Sequence, residues 1–314
     1  MLQANETQVE EALPYRLLIE ALRIGFQTSY TVPQRHHHDF ENPKSTQDST
    51  LLLMPAWQAG GYLGLKTVIV SPENQQFDLP AIHGSYLLFN AITGQPLLQC
   101  DARTLTKKRT AAASALAADY LARPGSHTLL VLGTGALAPE LIKAHCTIRP
   151  IKEVWIWGRR PDRAQALAAV LNKELGLKIS AITDRSHFIP KAAIISTATL
   201  SPDPILFGAD LANGQHIDLV GSYKPNMREA DDDVIRRSTV FVDTIEGAPK
   251  ESGDLFLPIQ KGLLSPADIQ ADLFQLCRQQ KPGRKSDTEI TLFKSVGHAL
   301  EDLVAAQLLY QYLV

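Results

Sequence analysis

The stretch LLVLGTGALAPELIKAH (residues 129–145) constrains the fold of this chain more than any other. It begins with a short apolar run typical of a buried strand, and the pattern Gly133-x-Gly135-x-x-Ala138 follows at the head of a helical segment. Gly133 permits a tight turn, Gly135 lets the backbone approach a pyrophosphate, and Ala138 allows the helix to pack closely on the strand. A purely structural glycine turn is the alternative, but the strand–turn–helix–strand context favours a dinucleotide site.

The chain on either side of this turn shows two kinds of pattern. LLLMPAW, YLGLKTVIV and AIHGSYLLFNAITGQPLLQCD are rich in Val, Ile, Leu and Tyr and are punctuated by Gly and Pro, which predicts an antiparallel sheet with a hairpin at Thr93-Gly94. From Ser126 onward short buried strands alternate with helices, as in a doubly wound parallel sheet. The fold class is therefore α/β, with a Rossmann-type domain and an α+β domain.

Three helices complete this reading. One covers residues 104–122 with Thr106 as its N-cap, a polar helix covers 262–280, and the chain ends with an amphipathic helix from about residue 291. We expect the last helix to pack on the N-terminal part. This predicts one domain formed by residues 1–112 together with 290–314, and a second formed by 113–289.

Composition excludes several classes of function. The 31 Lys and Arg against 33 Asp and Glu give a net charge of −2, so no global positive field attracts nucleic acid or an anionic membrane. The beginning, MLQANETQVEEA, is too polar for a signal peptide, and no apolar stretch is long enough to span a bilayer. Cys100, Cys146 and Cys277 form no CxxC pair, which fits a reduced cytoplasm and shows no metal-ligand spacing.

The end of the second Rossmann strand predicts which nicotinamide cofactor is bound. The residue that binds the adenosine ribose lies about 20 residues beyond the glycine turn, which here reaches Gly158 in VWIWGRRPDR. Arg159 and Arg160 follow instead of an acid, and two guanidiniums suit a 2′-phosphate. The alternative is that one Arg is solvated or pairs with Asp162. NADPH is therefore the expected cofactor, with NADH use left open.

A histidine triplet, His36-His37-His38, precedes the antiparallel region. On a strand only His36 and His38 would share a face, and no Cys or acid lies nearby with zinc-like spacing, so we predict no metal. Two readings stay open: His36 lines a substrate pocket, or the triplet consists of polar strand residues near a pocket mouth.

Several segments together resemble the ornithine cyclodeaminase/mu-crystallin family. They occur in family order and cover most of the chain from about residue 30 onward. The most specific is RTAAASALAADYLA, and the others are GLKTVIVSPEN, NAITGQPLLQCD, VLGTGALA, ISTATLSPDPI, GSYKPNMREAD and LFKSVGHALEDLVAA.

This resemblance implies a homodimer in which the N-terminal domain supplies the substrate pocket and the interface, beside an NAD(P)-binding Rossmann domain. It implies chemistry at the α-carbon of amino or imino acids. Leu137 departs from the pattern, because the family commonly has Gln there. A side-chain contact to the cofactor would then be lost.

The resemblance also implies the site residues. Arg35, Lys66 and Arg109 match the carboxylate-binding positions, where paired cations with fixed geometry suit an imino-acid carboxylate. The positions implied for cofactor binding, together with the arginine pair, are Gly133, Thr134, Gly135, Ala136, Leu137, Arg159, Arg160, Ser196, Thr197, Ala198, Tyr223, Ser295 and Val296.

Tyr223 in GSYKPNM decides between activities within the family. Cyclodeaminases carry an Asp at this place, which handles the amino group of a diamine. A cyclic imine arrives with its C=N bond formed and needs a carboxylate anchor, a hydride and a proton. We therefore predict NADPH-dependent reduction of Δ1-pyrroline-2-carboxylate, and of Δ1-piperideine-2-carboxylate, to L-proline and L-pipecolate. Lys66, Tyr223, a water or the substrate's own protonation supplies the proton.

Two alternatives remain. One is an NAD-dependent ornithine cyclodeaminase, against which Tyr223 and the arginine pair both argue. The other is a mu-crystallin-like protein that holds NADPH and a small aromatic acid, against which the intact basic trio argues.

Overall fold

The computed structural model describes residues 1–314. It consists of two compact units, Met1–Thr110 with His298–Val314 and Ala111–Gly297. Each unit is built around one sheet.

The N-terminal part of the chain forms six strands and three helices. These are β1 (Leu2–Ala4), α1 (Glu6–Ala12), α2 (Tyr15–Gln27), β2 (His36–Phe40), β3 (Ser49–Trp57), β4 (Tyr62–Val70), β5 (Ile82–Asn90), β6 (Pro96–Asp101) and α3 (Ala102–Leu121). The strands pair in the order β1-β6-β5-β4-β3-β2, and all pairs except β1–β6 are antiparallel. The predicted hairpin is present between β5 and β6, with Gly94 at a φ of 72°.

This sheet has two faces of different character. Side chains at central even positions of β3 to β6, such as Met54, Ala56 and Leu88, are buried. Side chains at the intervening odd positions stay partly exposed although most are apolar. We call the second face the open face and define it by Leu51, Leu53, Leu63, Leu65 and Leu87.

Helix α3 begins earlier than the sequence indicates. Asp101 Oδ1 accepts a 2.6 Å hydrogen bond from the backbone amide of Thr104, so Asp101 rather than Thr106 caps the first turn. Arg109 therefore lies in the third turn of the helix and not near its positive end, which removes the conflict with the helix dipole that an N-terminal Arg would face.

The second unit contains eight strands joined mainly by helices. Its elements are β7 (Thr128–Leu132), α4 (Ala138–Ile148), β8 (Glu153–Trp157), α5 (Pro161–Leu175), β9 (Lys178–Ile182), α6 (Arg185–Phe188), β10 (Ile194–Thr197), β11 (His216–Leu219), α7 (Asp232–Arg237), β12 (Thr239–Val242), α8 (Ala248–Glu251), α9 (Gly253–Gln260), β13 (Ala271–Asp272), α10 (Leu273–Cys277) and β14 (Thr291–Lys294).

All eight strands are parallel and follow the order β13-β12-β14-β11-β10-β7-β8-β9. The order reverses between β7 and β10, which makes their carboxyl ends the topological switch point where such sheets bind ligands. Apolar clusters cover both faces of the sheet, so its strands are buried throughout. The Rossmann-type architecture and the antiparallel sheet predicted from sequence are both confirmed.

The segment from residue 291 was expected to be one helix, and that expectation is wrong. Thr291–Lys294 is strand β14, which pairs with β11 and β12, and helix α11 follows only at Ala299–Leu313. Gly297, at a φ of 84°, separates the two elements. A short buried strand and a helix that is buried on most sides both appear in the sequence as runs of apolar residues. Hydrophobic periodicity therefore cannot distinguish the two elements.

The expectation of a polar helix at 262–280 is also wrong. Only α10 is helical in that region apart from a short 3₁₀ turn, and Asp272 caps it by accepting a hydrogen bond from the amide of Gln275. Helix α11 packs on α2 and β4 of the first unit. Because β14 belongs to the second sheet, residues 290–297 lie with the Rossmann unit, whereas the sequence-based division assigns them to the other domain.

Candidate active site

Strand β4 places Lys66 on the buried face of the first sheet. Lys66 pairs directly with Met54 of β3 and Tyr86 of β5, and its side chain is 3% exposed. On β3 the neighbours on this face are Leu52, Met54 and Ala56, so the strand offers no acid to Lys66. A lysine buried among apolar groups needs a charged partner from elsewhere in the fold.

The first turn of α11 supplies that partner. Asp302 Oδ2 lies 2.7 Å from Lys66 Nζ, and Asp302 Oδ1 accepts a 2.9 Å hydrogen bond from Arg109 Nε. Glu301 Oε2 accepts a second bond from Arg109, from Nη1 at 2.6 Å. These four side chains are at most 5% exposed, and their formal charges cancel. The geometry is a buried ion network in which Arg109 still has Nη2 to offer a ligand.

Burial and the neighbouring charges shift the pKa values of the groups in this network. Burial, together with the nearby Arg109, lowers the pKa of Lys66 to about 8, although Asp302 counteracts both. Burial alone would lower the pKa of Arg109, but Asp302 and Glu301 outweigh it and raise that pKa. Burial would raise the pKa of Asp302, yet Arg109 and Lys66 hold it below its usual value. Lys66 is thus a cation poised to titrate close to physiological pH.

Arg35 lies on the same side of the sheet as Lys66. It directly precedes β2, where His37 pairs with Leu52, and it is close enough to contribute to lowering the pKa of Lys66. His36 pairs with Leu53 and so lies on the open face. The expectation that His36 lines the substrate site beside Arg35 is therefore corrected, because strand alternation puts His37 and not His36 on the Lys66 side.

The second unit presents the glycine turn at the switch point of its sheet. Gly133 has a φ of 138°, and a Cβ there would lie 2.6 Å from the carbonyl oxygen of Ala198, just after β10. A Cβ on Gly135 would meet nothing within 4 Å, so the backbone is open to a ligand at that point. Thr134, Ala136 and Leu137 complete the turn, and α4 begins at Ala138. This cradle at a helix N-terminus fits a pyrophosphate.

Buried carboxylates fix the strand ends around this turn. Thr197 Oγ1 donates to Glu229 Oε2 at 2.8 Å, and Ser196 Oγ donates to Asp218 Oδ2 at 2.6 Å. Since the side chains of Ser196 and Thr197 are thus engaged and buried, they could contact a cofactor only through their backbone. Glu229 also accepts from the amides of Thr199 and Gly221. It therefore ties the loop after β10 to the loop after β11.

Tyr223 lies in the loop after β11 that Glu229 anchors. Its phenol makes no hydrogen bond within the protein, and burial raises its pKa. Lys224 Nζ lies 5.7 Å from the centre of the Tyr223 ring. The ring is thus a mainly neutral, half-buried group at the edge of the sheet where the glycine turn lies.

The segment after β14 is held by Asp243. Asp243 Oδ2 accepts hydrogen bonds from Ser295 Oγ at 3.1 Å and from the amides of Val296 and Gly297 at 2.7 Å. Asp243 directly follows β12, so the carboxylate closes a loop across two neighbouring strands. Ser295 and Val296 therefore lie at the carboxyl edge of the same sheet.

Arg159 and Arg160 come after β8 and Gly158 and are exposed. Neither makes an ion pair, and the alternative pairing with Asp162 is not formed, so both guanidiniums remain available to a ligand. The two arginines lie just beyond Gly158, where a Cβ would come within 2.6 Å of Thr134 Cγ2 in the glycine turn.

Sequence reasoning missed the acidic residues that organise both units. Glu301 and Asp302 are adjacent acids in an otherwise apolar helix, which was a usable signal for an internal ion network. Glu229 and the buried pair Lys294–Asp254, 3.4 Å apart, gave no comparable signal because the three residues lie in separate segments of the chain.

Other features of the chain lie apart from these residues. A polar cleft of about 390 Å³, lined by Arg236, Arg237 and Glu289 among others, opens at the amino ends of β12 and β14, the opposite edge of the sheet from Gly133. Nowhere in the chain do three or more His, Cys, Asp or Glu side chains come together in a way that could hold a metal ion. None of the helices has the length and apolar character needed to cross a membrane.

Known proteins share this whole architecture. Protein SAR DEFICIENT 4 of Arabidopsis thaliana is 41% identical over 96% of this chain and 95% of its own length. The Δ1-pyrroline-2-carboxylate reductase of Colwellia psychrerythraea is 36% identical, with 95% of each chain covered. The structure of the Thermococcus litoralis Δ1-pyrroline-2-carboxylate reductase with NADH and L-proline superposes with a TM-score of 0.93 at 32% identity, covering 99% and 97% of the two chains.

An archaeal alanine dehydrogenase dimer with bound NAD superposes with a TM-score of 0.91 at 28% identity, covering 99% of this chain and 95% of that one. The family model for ornithine cyclodeaminase/mu-crystallin matches residues 1–314. The resemblance noted in the sequence is thereby confirmed, and the chain belongs to the ornithine cyclodeaminase/mu-crystallin family.

Proposed function

We propose that this protein is an NAD(P)H-dependent oxidoreductase that reduces cyclic ketimines. Its substrates are Δ1-pyrroline-2-carboxylate and Δ1-piperideine-2-carboxylate, which become L-proline and L-pipecolate. The relatives named Δ1-pyrroline-2-carboxylate reductase support this assignment. The observation that carries it is the cation cluster of Lys66, Arg109 and Arg35 around the carboxylates of α11.

The donors of this cluster support a monoanionic substrate. Lys66 and Arg109 are balanced by Glu301 and Asp302, and the Arg35 guanidinium is close enough to act on Lys66. A carboxylate could bind to Nη2 of Arg109 and to Lys66, because oriented donors in a dry site hold an anion strongly. The side chains of β3 on this face, Leu52, Met54 and Ala56, offer no counter-charge for the second cation of a diamine.

The residues of this chain have distinct roles in the proposed reaction. A bound nicotinamide cofactor supplies the hydride that reduces the C=N bond. Arg35, Lys66 and Arg109 hold the substrate carboxylate and so orient the imine carbon. Lys66, Tyr223 or a water delivers the proton to nitrogen, unless the imine binds already protonated.

We propose NADPH as the preferred cofactor, because Arg159 and Arg160 are exposed and unpaired and directly follow Gly158, which lies against Thr134 of the glycine turn. A double variant, Arg159→Ala with Arg160→Ala, should raise the KM for NADPH by roughly tenfold or more and leave the KM for NADH nearly unchanged, since a lost charge-assisted hydrogen bond is worth about 1.5–3 kcal/mol. Equal KM values for both cofactors in the unaltered enzyme would remove the basis for an NADPH preference.

We further propose a homodimer that forms through the open face, and a cytoplasmic location. The apolar residues of the open face are only partly buried. The three cysteines form no disulfide, which suits a reducing compartment.

One pair of assays tests the activity. NADPH oxidation is followed at 340 nm with Δ1-pyrroline-2-carboxylate, and ammonia release is measured in parallel with NAD and L-ornithine. Reduction in the first assay without ammonia in the second is the expected result. Ammonia release would identify a cyclodeaminase. Tight NADPH binding without turnover in either assay would identify a ligand-binding protein.

A further inference from the structure

Asp302 is the one group that contacts both cations of the buried network. Each of its two carboxylate oxygens contacts one cation: Oδ2 lies 2.7 Å from Lys66 Nζ, and Oδ1 lies 2.9 Å from Arg109 Nε. Glu301, the adjacent acid, bonds to Arg109 and forms no ion pair with Lys66. Both acids belong to the first turn of α11, a helix whose other inward residues are apolar. Replacing Asp302 therefore affects both Lys66 and Arg109, whereas replacing Glu301 leaves the ion pair of Lys66 intact.

We propose that Asp302 is a positioning residue that keeps Lys66 in its charged form, so that the ammonium is present when the substrate carboxylate arrives. This inference rests on the proposed function for its substrate, while the link between Asp302 and Lys66 stands on geometry alone. Nothing on strand β3 could replace Asp302, because the neighbours of Lys66 there are Leu52, Met54 and Ala56.

The balance of forces on Lys66 explains why it needs such a partner. Burial is the largest influence and favours the neutral amine, and the nearby guanidinium of Arg109 acts in the same direction. The charge of Asp302 and its hydrogen bond counteract both effects by raising the pKa of Lys66, and the net result is a pKa of about 8. Without Asp302 the amine would be neutral at physiological pH and could no longer attract a carboxylate.

His37 is exposed on β2 and is separated from Lys66 by strand β3. The other groups around Lys66 do not titrate in the same range. Arg35 and Arg109 are guanidiniums, which stay charged in proteins. Tyr86 on β5 has a pKa raised well above its usual value by burial, and burial raises the pKa of Cys100 on β6 to about 12. The acids of α11 include Asp302, whose pKa is held low. A titration near pH 8 in this cluster therefore belongs to Lys66.

The test is the pH dependence of kcat/KM for Δ1-pyrroline-2-carboxylate. In the unaltered enzyme kcat/KM should fall above about pH 8 as Lys66 loses its proton. In Asp302→Asn this fall should begin about 1–3 pH units lower, which is the usual effect of losing one adjacent opposite charge. In Asp302→Glu it should return toward its original position. Unchanged pH dependence in Asp302→Asn would overturn the proposal.

Glu301→Gln is the matched control. It removes an equally buried carboxylate from the same helical turn, but that carboxylate bonds to Arg109 and forms no ion pair with Lys66. Its kcat/KM can fall, yet the pH at which the fall begins should stay where it is in the unaltered enzyme. An equal shift in both variants would mean that general loss of negative charge, and not the contact with Lys66, is responsible. That result would also overturn the proposal.

Two further measurements keep the proposal testable if Asp302→Asn fails to fold or if the imine is not a substrate. Lys66→Arg should abolish the fall near pH 8, because guanidinium does not deprotonate there. NMR titration of ¹³C-labelled lysine side chains, with the Lys66 signal identified by its absence in Lys66→Arg, needs no substrate. A Lys66 pKa that does not fall when Asp302 is replaced by a neutral residue, Asn or Ser, would refute the link with Asp302, whereas absence of turnover alone would refute only the proposed activity.

Discussion

At the scale of single residues, Arg109 combines two tasks that only a guanidinium can perform together. Its Nε and Nη1 bond to Asp302 and Glu301, and its Nη2 is left for a ligand. An ammonium has no planar fork and cannot reproduce these three directions at once. The identity of this residue therefore matters more than its charge.

We predict that Arg109→Lys lowers kcat/KM for the imine by about 100-fold or more, because a small misplacement of a bound substrate already costs about that much. Arg109→Ala should abolish most activity, and it should also destabilise the fold by about 3–5 kcal/mol because it removes the buried cation to which both Glu301 and Asp302 bond. Steady-state kinetics combined with thermal unfolding separates the two effects. Near-normal kcat/KM in a folded Arg109→Lys protein would show that Arg109 does not bind the substrate.

For Tyr223, in contrast to Arg109, we expect substitution to have only a small effect on activity. Its phenol has no protein partner and its pKa is raised by burial, so we predict that Tyr223→Phe keeps kcat within about tenfold of the unaltered enzyme at pH 7. A general acid contributes about 10²–10⁴-fold, so a loss of that size with NADPH affinity intact would identify Tyr223 as the proton donor. The measurements are kcat at saturating imine and the Kd for NADPH by fluorescence titration.

The sequence predicted part of this site and missed part of it for definite reasons. Arg35, Lys66 and Arg109 could be recognised because they lie in specific motifs. The assignment of His36 failed because the face on which a strand residue points depends on the register between β2 and β3, and a shift of one residue reverses it. Glu301 and Asp302 lie nearly 200 residues along the chain from Arg109, so no local pattern could pair them.

At the scale of elements, the turn between β7 and α4 uses its two glycines differently. Gly133 is needed by the protein itself, because its φ of 138° and the carbonyl of Ala198 exclude a side chain. Gly135 is unobstructed in the folded chain, so only a ligand would be disturbed by a side chain there. The strand–turn–helix order was predictable from the sequence, whereas this division of roles required coordinates.

The two glycines should therefore respond differently to the same substitution. We predict that Gly133→Ala lowers the melting temperature clearly, since strained backbone of this kind costs about 1–3 kcal/mol before the steric contact is counted. Gly135→Ala should leave the melting temperature nearly unchanged and raise the Kd for NADPH by about tenfold or more, because its methyl group blocks the approach of the pyrophosphate. Differential scanning calorimetry and fluorescence titration measure these quantities. Unaltered NADPH affinity in Gly135→Ala would argue against a pyrophosphate at this turn.

The elements that sequence could not predict are those in which tertiary context decides between helix and strand. TLFK at 291–294 and ALEDLVAA at 299–306 are both mainly apolar, but the first lies between β11 and β12 and the second packs on α2 and β4. A short apolar run has no period to read, and Gly297 was the one local sign that the two belong to separate elements. The domain boundary at the C-terminal side was misplaced for the same reason.

At the scale of the whole molecule, the open face raises the question of what covers it. Leu65 lies at its centre, between Pro55 of β3 and Leu87 of β5, and the surrounding positions are largely apolar. Contiguous apolar patches on this scale usually mark an interface. In a dimer with a two-fold axis, the open face of one subunit would pack on the same face of the other, so that a single surface covers both.

We predict that Leu65→Glu converts the protein from a dimer to a monomer, because two buried carboxylates would face each other near the axis without counter-charges. Molar mass from light scattering during size-exclusion chromatography is the measurement. Val170→Glu is the control, because Val170 is 62% exposed on α5 and stands outside the open face. It should leave the mass unchanged. A Leu65→Glu protein that stays dimeric would exclude the open face as the interface, since no sheet-to-sheet contact could accommodate that charge at its centre.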